Sequence, residues 1–167
     1  CHHDLVRPGY ALYGGNPVPG RANPMRPVVR LEARIIQVRD VPDGATAGYN
    51  GCWTAKGPRR LATICLGYAD GYPRGAGGTD AKLASATPFA QAVVAGVRCP
   101  FVGTVSMDLT IIDVTDLPVH EARRGALATL IGDGLGVDEV GIRAGTIGYE
   151  ILTSLGRRYA RTHIGSA

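Results

Sequence analysis

Lysine is nearly absent from this chain. Of its 18 basic residues 16 are arginine, and Lys56 and Lys82 are the only lysines. The arginines are scattered and no long basic run exists. The net charge of +4 therefore does not read as a nucleic-acid surface. Arginines facing a small anionic ligand account for the excess equally well. Two Phe and one Trp leave no strand of alternating aromatic and basic residues on which bases could stack. No apolar run approaches the ~18 residues of a membrane-spanning helix. The four cysteines, Cys1, Cys52, Cys65 and Cys99, show no CxxC spacing, so neither a zinc site nor a disulfide scaffold is expected. Cys65 and Cys99 lie in apolar stretches and read as buried thiols. The expected compartment is the cytoplasm. Charged residues make up only 19% against 45% hydrophobic, which excludes a disordered chain. The first residues, Cys1-His2-His3-Asp4, carry neither a starting Met nor a signal pattern. They read as a cut through a longer protein. His2 and His3 lack partners that would complete a metal site, and no metal is expected.

What is present is a succession of short β-prone runs. Val28 to Val41, Leu61 to Leu66, Leu109 to Val114 and Ala126 to Ile131 each read as a strand. Ala92 to Val97 and Arg98 to Val105 read as a hairpin turning at Gly96. Asp4 to Tyr13 is a short strand-like segment. Residues 14–27 hold four prolines and the glycines Gly14, Gly15 and Gly20, and read as a linker. Gly75 to Gln91 reads as a loop with one short helix. Towards the end the period changes. Val137 to Ala144 and Thr146 to Ala160 have helical spacing, with Ile147, Ile151, Leu152 and Leu155 on one face. Arg157, Arg158 and Arg161 would then sit where a helix dipole favours cations. The predicted fold is mainly β: an antiparallel, Greek-key-like barrel with a short C-terminal helical segment.

Four separated segments carry candidate chemistry: Arg7-Pro8-Gly9-Tyr10, Gly67-Tyr68-Ala69-Asp70-Gly71-Tyr72, Gly103-Thr104-Val105-Ser106-Met107-Asp108 and Gly148-Tyr149-Glu150-Ile151-Leu152. Turn chemistry explains the Gly, Asp and Pro of the second segment but not its two tyrosines. Either they cover a sheet end, or one phenol at a rigid strand end works as an acid or base. A lone Met is ordinarily core, and a lone tyrosine at a helix start ordinarily packs. Asp70 and Asp108 read as turn-fixing carboxylates.

Taken in order and spacing, with Tyr49-Asn50-Gly51 between the first two, these segments resemble the C-terminal part of alanine racemase, a pyridoxal-phosphate enzyme. The resemblance covers essentially the whole chain. It implies that residues 1–13 are the remnant of an N-terminal α/β barrel's last strand, 14–27 the crossing, and 28–167 the C-terminal β domain. It implies a homodimer in which this domain completes the partner's site. The cofactor, pyridoxal 5'-phosphate, would be held mainly by the missing barrel, as a Schiff base on a lysine that this chain lacks. Arg7 would face the pyridine nitrogen. Gly9 and Tyr10 would offer backbone N–H groups to the phosphate, and Tyr149 its hydroxyl. Tyr68 would be the acid/base acting across the subunit boundary. Met107 would bind the substrate carboxylate through its backbone N–H. The substrate would be alanine, interconverted between L and D by two-base proton transfer and supplied as D-alanine to peptidoglycan; the isolated chain would be inactive.

Thr104 stands where that family often has arginine, and Gly75 to Gln91 reads as an insertion. Two other readings compete. One is a decarboxylase of basic amino acids with the same layout, against which Arg7 argues, because those enzymes place a carboxylate by the ring nitrogen. The other is a non-catalytic β-barrel module for binding or dimerisation.

Overall fold

The computed structural model describes residues 4–165. The strands are β1 (Leu31–Val41), β2 (Thr46–Ala47), β3 (Trp53–Thr54), β4 (Arg59–Ile64), β5 (Gln91–Val94), β6 (Val97–Val102), β7 (Thr110–Asp113) and β8 (Leu127–Ile131). Three short helices accompany them: α1 (Asp80–Ala84), α2 (Val137–Ala144) and α3 (Gly148–Ser154).

β1 shows how the sequence builds the fold. Leu31, Ala33 and Ile35 are buried while Arg34 faces out, as strand alternation requires. At Ile36 the alternation breaks, and the pairing register shifts between Ile35 and Gln37. A bulge of this kind bends a strand. One long strand thereby serves two neighbours, pairing with β8 through residues 31–34 and with β4 through residues 35–41. The ring then closes in the order β1, β4, β7, β6, β5, β8, every pairing antiparallel. The non-sequential order is the predicted Greek-key character. The hairpin at Gly96 is also found: Ala95 and Gly96 both have positive φ, 48° and 81°. That is the two-residue turn whose twist matches paired strands.

Ile35, Ile64, Phe101, Ile112, Leu130 and Ile131 fill the interior. Full burial of a side chain of this size contributes about 1.5–3 kcal/mol. The same core extends to Tyr72, Val140 and Ile151, which fastens the segment after β4 and both C-terminal helices to the barrel. A second cluster, Ala47, Trp53, Ala55, Leu61 and Val102, packs apart from it.

The structure corrects several expectations. Residues 4–8 form no strand; Gly9–Tyr13 is a 3-10 turn, begun at Pro8 and ended by Gly14 at φ 85°. Within residues 14–27, the Asn16 N–H donates to Asp138 and the Asn23 amide donates to the Gly14 carbonyl. Cys65 is exposed while Cys99 is buried, because a strand end turns successive side chains to opposite faces. The last helix stops at Ser154. Ile147 is exposed at its start, and Leu155 leaves helical geometry with ψ 109°. The Ser154 hydroxyl donates to the Gly71 carbonyl and the Gly156 N–H to the Asp70 carbonyl. These tertiary bonds replace the last predicted helical turns. Arg157, Arg158 and Arg161 therefore lie beyond the helix, not on its dipole. His2, His3 and Cys1 lie outside the described residues.

Candidate functional site

Tyr10 is almost fully buried although it sits in a turn near the start of the chain. Its hydroxyl donates to Asp138 Oδ1 at 2.6 Å. Burial, aided by that carboxylate, pushes the phenol pKa up, so it stays protonated. The ring lies between two glycines: a Cβ at Gly15 or at Gly148 would overlap it. On its open side it stacks on Tyr149, ring centres 4.0 Å apart and planes 16° from parallel. Tyr149, one residue into α3, is half exposed. Its hydroxyl makes no hydrogen bond among the described residues. Gly9 is exposed at φ 52°, and a Cβ there would meet nothing within 4 Å. The backbone at Gly9 thus faces open space beside a fixed tyrosine pair. Arg7 is exposed two residues earlier.

A second cluster forms around Tyr68. β4 ends at Ile64 and the chain turns through a 3-10 turn, Tyr68–Asp70. The Tyr68 N–H donates to the Ser106 carbonyl and the Ala69 N–H to the Met107 carbonyl, each at 2.9 Å. Gly67 is pressed so closely on that segment that a Cβ would overlap both carbonyl oxygens. Two turns distant in sequence are thereby locked edge to edge. The Tyr68 side chain is 40% exposed and Met107 53%. The Met107 N–H and the Tyr68 hydroxyl make no hydrogen bond among the described residues. Tyr72, by contrast, is 1% exposed and belongs to the core. Of the two tyrosines in the motif, one is sealed in the core and the other is exposed.

Asp70 fixes its turn as expected: Oδ2 accepts the Gly67 N–H at 2.9 Å. Asp108 instead binds a cation. Arg158 Nη1 lies 2.8 Å from Asp108 Oδ1 and 3.3 Å from Asp70 Oδ1. Local reading of the sequence missed this arginine because it assigned Arg158 to a helix end. It also missed Asp138, which accepts from both the Tyr10 hydroxyl and the Asn16 N–H. The one available signal for Arg158 was its place in an arginine group following Gly156, a residue that weakens a helix interior.

The two clusters are joined by α3, which carries Tyr149 near its start and, through Ser154, holds Gly71 near its end. A shallow cleft lined by Tyr68, Pro73, Arg74, Thr146 and Glu150 runs between the Tyr68 turn and the start of α3. Among the described residues no group of His, Cys, Asp and Glu could hold a metal ion, and no helix is long and apolar enough to cross a membrane.

The sequence profile for "Alanine racemase, C-terminal domain" matches residues 28–163. The chain is 70% identical over 164 residues to an alanine racemase of Methylobacterium sp. strain 4-46, covering 98% of this chain and 42% of that protein. It is 49% identical over 167 residues to one of Rhizobium meliloti, covering 99% of this chain and 44% of that protein. Among solved structures, the Bartonella henselae alanine racemase with covalently bound pyridoxal phosphate superposes with a TM-score of 0.84 at 40% identity. It covers 96% of this chain and 42% of its own. The enzyme of D-cycloserine-producing Streptomyces lavendulae gives a TM-score of 0.86 at 32% identity, over 99% of this chain and 42% of its own. The chain thus spans less than half the length of these relatives. With the barrel, its closing helices and a profile match over residues 28–163, this chain belongs to the alanine racemase C-terminal domain family.

Proposed function

We propose that this chain is the β domain of an alanine racemase that interconverts L- and D-alanine by proton transfer at the α-carbon. In this reading residues 1–13 end an N-terminal barrel, 14–27 cross to the β domain, and 28–167 form it. The enzyme would be a cytoplasmic homodimer supplying D-alanine for peptidoglycan, and each β domain would complete its partner's site. The named relatives are racemases, which favours this over the decarboxylase and the non-catalytic module.

The observation that carries the reading is the locked pair of turns. It presents the Tyr68 phenol beside the Met107 backbone N–H, neither hydrogen-bonded among the described residues. The N–H would hold the substrate carboxylate and so orient the α-carbon. The phenol would take or return a proton on one face, while a lysine of the missing barrel serves the other. Such a pair of opposed groups accounts for racemisation, since one fixed base returns the proton to the face it came from.

The residues around Tyr10 suit pyridoxal phosphate. Gly9 leaves its backbone open, and Tyr149, held in place by stacking, carries a hydroxyl with no hydrogen bond among the described residues. The N–H groups of Gly9 and Tyr10 with the Tyr149 hydroxyl would hold the phosphate. Arg7 cannot give up its proton, so beside the ring nitrogen it would keep that nitrogen unprotonated. Bound there, the cofactor would supply electron withdrawal from the α-carbon.

Substituting Tyr68→Phe in the full-length protein tests the reading. L- and D-alanine have equal free energies, so kcat/KM must fall equally in both directions. The expected drop is about 100- to 10,000-fold, the range of a lost general acid–base group. Exchange of the α-hydrogen with deuterated solvent need not be symmetric. It should stop for one enantiomer and persist for the other, as proton NMR would show. Exchange unchanged for both would remove Tyr68 from the mechanism.

A further inference from the structure

The pair of turns that presents Tyr68 and Met107 is held at two levels. Backbone bonds join Tyr68 to Ser106 and Ala69 to Met107. Outside those bonds, each turn projects a carboxylate, Asp70 from one and Asp108 from the other. Both approach the same guanidinium nitrogen, Arg158 Nη1, at 3.3 and 2.8 Å. Two carboxylates this close repel each other unless a cation lies between them. The backbone does not supply one, and Arg158 does. Nor is Arg158 on a loose tether. The Ser154 hydroxyl donates to the Gly71 carbonyl, the Gly156 N–H donates to the Asp70 carbonyl, and the Tyr159 ring packs against the core. The arginine is thus delivered by the segment that leaves α3, the helix that also bears Tyr149.

We propose that Arg158 is a positioning residue: by binding Asp70 and Asp108 together it sets the separation between the Tyr68 phenol and the Met107 N–H, and with it the alignment of the substrate α-carbon. The inference rests on the roles given to Tyr68 and Met107 above. Arg158 itself touches neither substrate nor proton. Its loss removes the outer tie, so the Ser106–Asp108 segment, still joined to the Tyr68 turn by the backbone bonds, pivots about them. Displacements near 1 Å at such a site cost about 100-fold in rate.

The test uses the full-length protein with Arg158→Ala, Arg158→Lys, Asp108→Asn, the double change Arg158→Ala/Asp108→Asn, and Tyr68→Phe as reference. Arg158→Ala should lower kcat/KM about 10- to 100-fold. Arg158→Lys should recover part of this, since the cation returns without the planar fork. The double variant should be no worse than Arg158→Ala, because both changes break one link. A purely structural residue would slow α-hydrogen exchange from both enantiomers equally. A positioning residue should slow it more for the enantiomer whose exchange Tyr68→Phe abolishes. The amide resonance of Met107 should also move in Arg158→Ala. If Arg158→Ala fails to accumulate as folded protein, Asp108→Asn carries the same measurements. Wild-type exchange ratios and an unmoved Met107 resonance, with Tyr68→Phe still blocking one enantiomer, would overturn the role of Arg158 alone. Unchanged exchange in Tyr68→Phe would overturn the underlying reading and this inference with it.

Discussion

At the scale of single residues, identity and surroundings divide the work. Tyr10, Tyr68, Tyr72 and Tyr149 carry the same phenol, yet their surroundings differ. Tyr72 is sealed in the core, Tyr10 is a buried pillar bonded to Asp138, and Tyr149 and Tyr68 are exposed, their hydroxyls without a hydrogen bond among the described residues. The sequence motif shows that tyrosines are present. It does not show which of them is free, because that depends on what packs over them. Arg7 poses a sharper question of chemistry. If it faces the ring nitrogen, Arg7→Glu in the full-length protein should allow that nitrogen to be protonated. Transamination products, pyruvate from alanine among them, should then rise above the wild-type level. Chromatography of long incubations would detect them, and their absence would refute the assignment of Arg7.

At the scale of elements, close approach decides more than propensity does. Gly71 ends the Tyr68 turn at φ 94°, and a Cβ there would overlap the Ser154 carbonyl at the end of α3. Gly44 also has positive φ, 75°, but a Cβ there would meet nothing within 4 Å. Both substitutions to Ala carry the left-handed penalty of about 1–2 kcal/mol. Only Gly71→Ala must also part α3 from the turn. Gly71→Ala is expected to cost at least about 3 kcal/mol and to depress activity, while Gly44→Ala stays near the conformational cost alone. Denaturant melts of the two variants compare them directly, and equal losses would refute the close-packing argument. The same packing explains why α3 stops short of the predicted Ala160. Hydrogen bonds from Ser154 and Gly156 to the Tyr68 turn offset the helical turns given up.

At the scale of the whole molecule, the barrel and its helices share one core, so burial couples distant tyrosines to global stability. Tyr10, Tyr72 and Tyr159 all have pKa values pushed up, with burial the largest cause in each. The sign follows from linkage. Below the unfolded value near 10 both states hold the proton, and the stability these groups contribute is fully present. Above it the unfolded chain releases protons that the folded chain retains, so stability falls as pH rises. Alkaline titration should therefore show phenolate absorbance from the exposed tyrosines first. Absorbance from these three should appear only together with loss of the far-ultraviolet dichroism of the barrel. A single smooth titration preceding unfolding would contradict this.

Much of the architecture was legible without coordinates. Alternating apolar residues in β1, the Ala95-Gly96 turn and the 3.6-residue period of α2 are local signals, and local backbone physics expresses them directly. The family was legible too, because its four segments keep their order. What the sequence by itself could not decide depended on residues far apart in the chain. The bulge at Ile36 lets β1 serve two strands, and the end of α3 is set by bonds to residues 70 and 71. Cys65 faces outward from an apolar stretch. The bridging of Asp70 and Asp108 by Arg158, and of Tyr10 to Asp138, spans 50 or more residues of chain. Such contacts depend on which loops the closed barrel brings together, a property of the folded whole that no local pattern encodes.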